Sequence, residues 1–258
     1  MEEWKKQREA LYDWIAEQRT VVNDWKSKPA KLRPESAKQE LKSMHTLLAL
    51  IADKRAKLLT ELPSHGELLA DEPNLEESLD SLEEELLQVI AKKQNAQQIM
   101  DDYRGNLAEA HQWLDSIVKR MENLEKGGPL ALDCHQRLAG IQELAGEIDT
   151  QGNQRIEDVK KLADQVIDVV SNLDSQQVDE QLKSLERRHN DISKRVQRKA
   201  QVLESTNKGV EGAKQEVQQV RDWVKSKMDC LKSPEPMGFT AKQIGDKFQV
   251  CTNVVAQD

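Results

Sequence analysis

The residues best equipped for chemistry in this sequence are scattered. Five histidines (His45, His65, His111, His135, His189) and three cysteines (Cys134, Cys230, Cys251) carry the donors that metals and proton-transfer steps use. No two histidines form an H-x-x-x-H pair, and none joins a Cys/His cluster with ligand spacing. Cys134 and His135 are adjacent, but neighbouring side chains on a helix diverge by about 100° and meet different surroundings. Carboxylates are abundant, as in Glu83-Glu84-Glu85 and Asp101-Asp102. General acid–base catalysis needs such a group with shifted acidity in a water-poor cleft, and these runs read as solvated faces. The acidic stretch from Asp71 to Glu85 also suits the start of a helix, where the backbone dipole favours negative charge. No glycine-rich phosphate loop or nucleophile elbow occurs, and Gly127-Gly128-Pro129 reads as a turn. The expectation is therefore no catalytic, metal or cofactor site, and no enzyme.

One charge run stands apart. Arg187, Arg188, Lys194, Arg195, Arg198 and Lys199 make one stretch locally basic in an acidic chain. Exposed helix charges are usually a solvated face paired with neighbouring acids. The sharper reading is a docking stripe for an acidic partner. His189, inside the same run, falls at an inward-facing position and is expected to have a hydrogen-bond partner.

The elements that carry these residues are indicated by composition and punctuation. Of 258 residues, 33% are charged and 37% hydrophobic, with two Phe and two Tyr. A compact core of this length would use more large apolar side chains, whereas a thin bundle buries only a narrow stripe per helix. The net charge of −8 argues against nucleic acid as the main ligand and against adhesion to anionic membranes. No apolar run approaches the roughly 20 residues of a membrane span, and the opening Met1-Glu2-Glu3-Trp4-Lys5 does not resemble a signal peptide. An odd, dispersed set of cysteines indicates a reducing, cytosolic compartment.

Helix breakers cluster at Pro29 to Pro34, Pro63 to Pro73, Gly127 to Pro129, and Pro234 to Gly238, with a weaker break at Ser171–Ser175. Between them the chain favours helix, with apolar residues at three- and four-residue steps. Helices are predicted over about 2–27, 34–62, 74–126, 131–170 and 175–232, with a short one over about 239–256. The third and fifth would each reach about 75–85 Å at roughly 1.5 Å per residue, too long for one globular core. They would leave one bundle and enter the next, though Gly209 and Gly212 weaken the fifth.

Repeats support this. Trp14, Trp113 and Trp223 recur at steps of 99 and 110. Leu41, Met44, Leu47 and Ile51 align with Leu138, Ile141, Leu144 and Ile148, each 97 residues later, and Leu59, Leu62 and Leu69 with Ile156, Val159 and Val166. Leu79, Leu82, Leu86 and Val89 align with Leu182, Leu185, His189 and Ile192 at an offset of 103. The rise from 103 to 110 is one heptad, which keeps an apolar seam on nearly the same face.

An up-down-up unit of this length, with Trp14 in its first helix and a third helix continuing into the next unit, resembles the spectrin repeat. Leu11, Trp14, Ile15 and Val22 look like that family's first helix, Lys42-Ser43-Met44-His45-x-x-Leu48 like its second, and Gly66-x-x-Leu69 like the approach to the following loop. The family's second Trp is replaced by Leu86 and His189, a departure that is similar to the divergent repeats of the giant nesprins, with plakin and dystrophin relatives next. The resemblance implies an all-α elongated rod of tandem three-helix coiled-coil bundles joined by continuous helices: repeats over 1–102 and 103–205, and the start of a third, incomplete one over 206–258. It makes Trp14, Trp113 and Trp223 core anchors, leaves Trp4 partly exposed, and leaves residues 234–258 weakly ordered or packed in a non-family way. It further implies a non-catalytic scaffold that spaces partners, transmits tension and docks cytoskeletal or actin-regulatory proteins, a formin-type regulator among them. Such rods are cytoplasmic and cytoskeleton-associated, and some reach the outer nuclear membrane through other parts of their parent protein. No direct membrane contact, no nucleic acid and a monomeric segment are expected. The alternative is a self-associating coiled-coil dimerisation module.

Overall fold

The computed structural model describes residues 2–61, 75–126, 134–232, 241–246 and 249. Six α-helices cover most of them: α1 (Glu2–Ser27), α2 (Pro34–Glu61), α3 (Leu75–Glu125), α4 (Cys134–Glu147), α5 (Asn153–Val169) and α6 (Asn172–Lys232). Residues 241–246 are also helical. The described residues form no strand, and their one β-type pairing is an isolated parallel bridge between Ala30 and Val170. The fold is all-α, as expected. The break at Pro63–Pro73, the Gly66-x-x-Leu69 match, the turn at Gly127–Pro129, His65, the side chain of Trp4 and most of the 234–258 tail lie outside the described residues.

Helix boundaries follow local chemistry. Pro34 opens α2 at a position where its missing N–H costs nothing. α3 begins with Glu76 and Glu77 in its first turn, where they oppose the helix dipole favourably. α6 starts at Asn172, three residues before the predicted start, because Ser171 rather than a later residue is its cap. The Asp174 N–H donates to Ser171 Oγ at 3.3 Å, and the Ser171 hydroxyl in turn donates to Asp174 Oδ2 at 3.0 Å. Gly209 and Gly212 do not interrupt α6, which runs unbroken for 61 residues.

The chain divides into two compact units, residues 1–120 with 145–194 and residues 121–144 with 195–258. In the first, α1, α2 and α3 share one apolar core of Ile15, Val22, Met44, Leu47, Ile51, Leu58 and the α3 series Leu75, Leu79, Leu82, Leu86, Val89 and Ile90. The three-helix expectation is met here. The aligned positions Met44 and Ile141, Leu47 and Leu144, Ile51 and Ile148, and Leu82 and Leu185 are all buried, whereas Leu41, Ile156 and Leu182 are half-buried.

The predicted helix over 131–170 is not continuous. A π-helical turn, Ile148–Gly152, separates α4 from α5, and the Asn153 N–H reaches back five residues to Ile148 O. Two side chains compete for helix carbonyls there: Thr150 Oγ1 donates to Gly146 O at 2.8 Å and Asn153 Nδ2 to Asp149 O at 2.8 Å, a pattern that loosens and bends helices. Gly152 completes the turn. A Cβ on it would lie 2.7 Å from His189 Nε2 and 2.9 Å from Trp113 Cη2, so a glycine lets the backbone approach both rings.

Two residue expectations need correction. His189 is buried at 7% exposure, as predicted, but its Nε2 has no hydrogen-bond partner among the described residues, because it faces Gly152 and the Trp113 ring. Trp223 is not a core anchor. It is 41% exposed, on a stretch of α6 (204–229) where no residue is buried. Trp14 and Trp113 are half-buried, with Trp14 packed against the core.

Candidate functional site

The six cations of the basic run divide by their surroundings. In the first unit, the Arg188 guanidinium donates to Asp115 Oδ1 and lies 3.1 Å from His111 Nδ1. Burial and then the Arg188 charge hold the His111 imidazole below its ordinary basicity, against a smaller opposing pull from Asp115. Arg188 therefore clamps α6 to α3. In the second unit, Lys199 pairs with Glu125. Arg187, Lys194, Arg195 and Arg198 are exposed and form no ion pair among the described residues. Two of the six cations are thus engaged in holding helices together, and four carry charge without an ion pair among the described residues.

Two of its members border an apolar groove within the second unit. Its described lining is Leu124 and Glu125 from the end of α3, Arg137 and Ile141 from α4, and Arg198, Lys199, Val202 and Leu203 from α6, around a volume of about 280 Å³. Gly140 on α4 packs beside the lining residue Leu124, since a Cβ there would meet Leu124 Cδ2 at 2.9 Å. Its absence lets the leucine lie flat on α4. Val202, within that lining, is 65% exposed.

A second polar constellation lies in the first unit, and sequence reading missed it. Lys93 on α3 is 8% exposed. Its ammonium donates to Lys28 O at 2.9 Å and Pro29 O at 3.1 Å, and lies 3.6 Å from Glu40 Oε2. Desolvation holds the Lys93 ammonium below its ordinary pKa, partly offset by Glu40. Beside it, the Ala30 N–H donates to Val169 O at 2.8 Å. One buried lysine thus holds the α1–α2 connection against α3 while that connection grips the end of α5. The available signal was Lys93's place in the apolar seam of Leu86, Val89, Ile90, Ala96 and Met100.

Cations also cover two tryptophans. Lys54 stands 5.5 Å from the Trp14 ring centre, and Arg155 stands 5.7 Å from that of Trp113, each worth roughly 0.5–1 kcal/mol at such sites. Tyr103, buried on α3, donates to Gln181 Oε1 at 3.1 Å. Its phenol is pushed up to about 12 by burial and then by the Asp179 charge. Arg120 grips Glu147 with two bonds, at 2.6 and 2.7 Å. Hydrogen bonding from Arg120 holds the Glu147 carboxyl below its ordinary range. Each of these perturbed groups joins one helix to another. Among the described residues no group of three or more His, Cys, Asp or Glu could hold a metal ion, and no described helix is long and apolar enough to cross a membrane.

No family model and no solved structure matches the chain. It is similar to a stretch of the Muscle-specific protein 300 kDa of Drosophila melanogaster, 46% identical over 242 residues. That match takes in 94% of this chain and only 2% of the length of the curated relative.

Proposed function

We propose that this chain is a non-catalytic rod segment of a large cytoskeletal linker, giving fixed spacing, tension transmission and docking for other proteins. The observation that carries the reading is the length of two unbroken helices, 51 residues in α3 and 61 in α6, or about 75 and 90 Å. The early part of α3 packs as a third helix with α1 and α2; repeats over 1–102 and 103–205 with a third beginning at 206 would use α3 and α6 each as a third helix early and a first helix later. Where repeats share an unbroken helix, the stability of adjacent repeats is coupled. The similarity to a stretch of a muscle-specific protein supports a cytoskeletal setting. Nesprin-like coupling of nucleus to actin, a location at the outer nuclear membrane through other parts of the parent, and capture of actin regulators of the formin type extend the same reading.

The test is small-angle scattering together with sedimentation at several concentrations. An elongated monomer is expected, and a compact particle would overturn the reading. A second reading, self-association as a coiled coil, has one specific observation in its favour. Val210, Val217 and Val224 are exposed at heptad spacing on α6, flanked by Val220 and Trp223. A tight dimer in the same sedimentation runs, lost on Val217→Glu, would establish it instead.

A further inference from the structure

We propose that the groove between the end of α3, α4 and α6 in the second unit docks a short acidic amphipathic helix of another protein. This rests on the docking part of the scaffold reading and names the site and the chemistry of its occupant. Three observations support it. The described floor, made by Leu124, Ile141, Val202 and Leu203, is apolar, so its occupant must bring apolar side chains at helical spacing. The rim is cationic. Arg198 borders the groove from α6 without an ion pair among the described residues, Arg137 borders it from α4, and the one carboxylate in the described lining, Glu125, is already paired with Lys199. Between Asp191 and Glu204 the chain carries four cations and no acid, although its net charge is −8. The local field therefore attracts acid where the chain as a whole repels it, and guanidinium groups hold carboxylates in two-bond geometry.

A second copy of this chain is disfavoured as the occupant. Its own acidic amphipathic stretch, Leu75–Leu86, already buries Leu75, Leu79, Leu82 and Leu86 in the core with α1 and α2.

The test uses the full chain and a labelled synthetic helix of about four turns, with leucines along one face and glutamates beside them. A matched peptide carries lysine in place of glutamate. Anisotropy titration should show saturable binding of the acidic peptide, weakened by about tenfold or more in Arg198→Glu and by salt, with the lysine peptide at least as much weaker. Val202→Ser should weaken binding through the floor rather than the rim. Arg187→Glu, outside the groove lining, should leave affinity unchanged. Cys134 supplies a local reporter, because its Sγ lies 3.8 Å from Leu203 O. In a chain with Cys230→Ser and Cys251→Ser, the bound peptide should slow alkylation of Cys134.

The proposal is overturned by absence of saturation, by equal binding of the two peptides, or by an Arg198→Glu variant that binds as well as the native chain. It is also overturned by a concentration-dependent dimer that Arg198→Glu dissolves, which would assign the groove to a second copy. Scattering of the unbound chain does not depend on any of these results, so failure of the docking site is distinguishable from failure of the rod reading.

Discussion

Replacing Gly152 by alanine sets two opposing effects against each other at one atom. Gly152 has ordinary helical angles, φ −64° and ψ −50°, so alanine would gain about 0.5–1 kcal/mol through a less flexible unfolded chain and better helix propensity. The added methyl would fall 2.7 Å from His189 Nε2, and 2.9 and 3.2 Å from two carbons of the Trp113 ring. Carbon contacts are comfortable at about 3.5–4.0 Å, so the rings must retreat by about 0.6 Å or more. They are rigid and packed at the same point, so the strain cannot relax through a flexible chain end. Overpacking of this kind costs about 1–3 kcal/mol. The net expectation is a loss of about 1–2 kcal/mol, or a melting point lower by about 3–6 °C on the scale of domains this size. Gly105 and Gly146 are internal controls. A Cβ on either meets nothing within 4 Å, so Gly105→Ala and Gly146→Ala should each stabilise by about 0.5–1 kcal/mol. Urea unfolding followed by circular dichroism at 222 nm measures all three. Truncating the ring in His189→Ala should make Gly152→Ala less harmful, with a coupling of at least about 0.5 kcal/mol. A Gly152→Ala chain as stable as Gly146→Ala would refute the close-approach account of the π-helical turn.

Three further perturbations test other contacts. Lys93→Met should cost about 2–3 kcal/mol, below the 3–5 typical of a fully buried pair because Glu40 keeps some access to water. It should also speed hydrogen exchange at the Ala30 amide, and an unchanged rate there would remove Lys93 from its holding role. Tyr103 is more basic as a phenolate in the folded state than in the unfolded one, so its contribution is complete below pH ~10 and is lost as pH rises toward 12. Native stability should therefore fall across that window by about 2 kcal/mol more than in Tyr103→Phe, and parallel pH curves for the two chains would contradict the burial argument. Ser171→Ala should cost about 1 kcal/mol and raise exchange at the Asp174 amide. No change there would mean that α6 begins without this cap.

Much of the helical plan was legible because it rests on local signals. Pro34, the glutamates at the start of α3 and the seam of leucines specify where helices begin and which face turns inward, and the offsets of 97 and 103 found buried partners in successive helices. Exposure of the distal α6 face was not legible. Val217, Val220 and Trp223 have the residue types and spacing of a core stripe, and a stripe is buried only if other helices lie on it. The candidate groove was legible only as charge. Arg198 and Lys199 stood out in the basic run, whereas Leu124, Ile141 and Val202 come from helices far apart in sequence. The run could not show which of its cations were already engaged.

Helical state, the inward face of α2 and early α3, and the continuity of α3 and α6 were all readable along the chain, since they depend on residues within a few turns of one another. Tertiary structure decided that Lys93 is a buried tie, that Arg188 is a clamp while Arg198 remains free, and that Gly152 admits two rings against a widened turn. Each depends on which distant groups share a few ångströms of space, and the free energy of a charge or a methyl group depends on those neighbours rather than on its place along the chain.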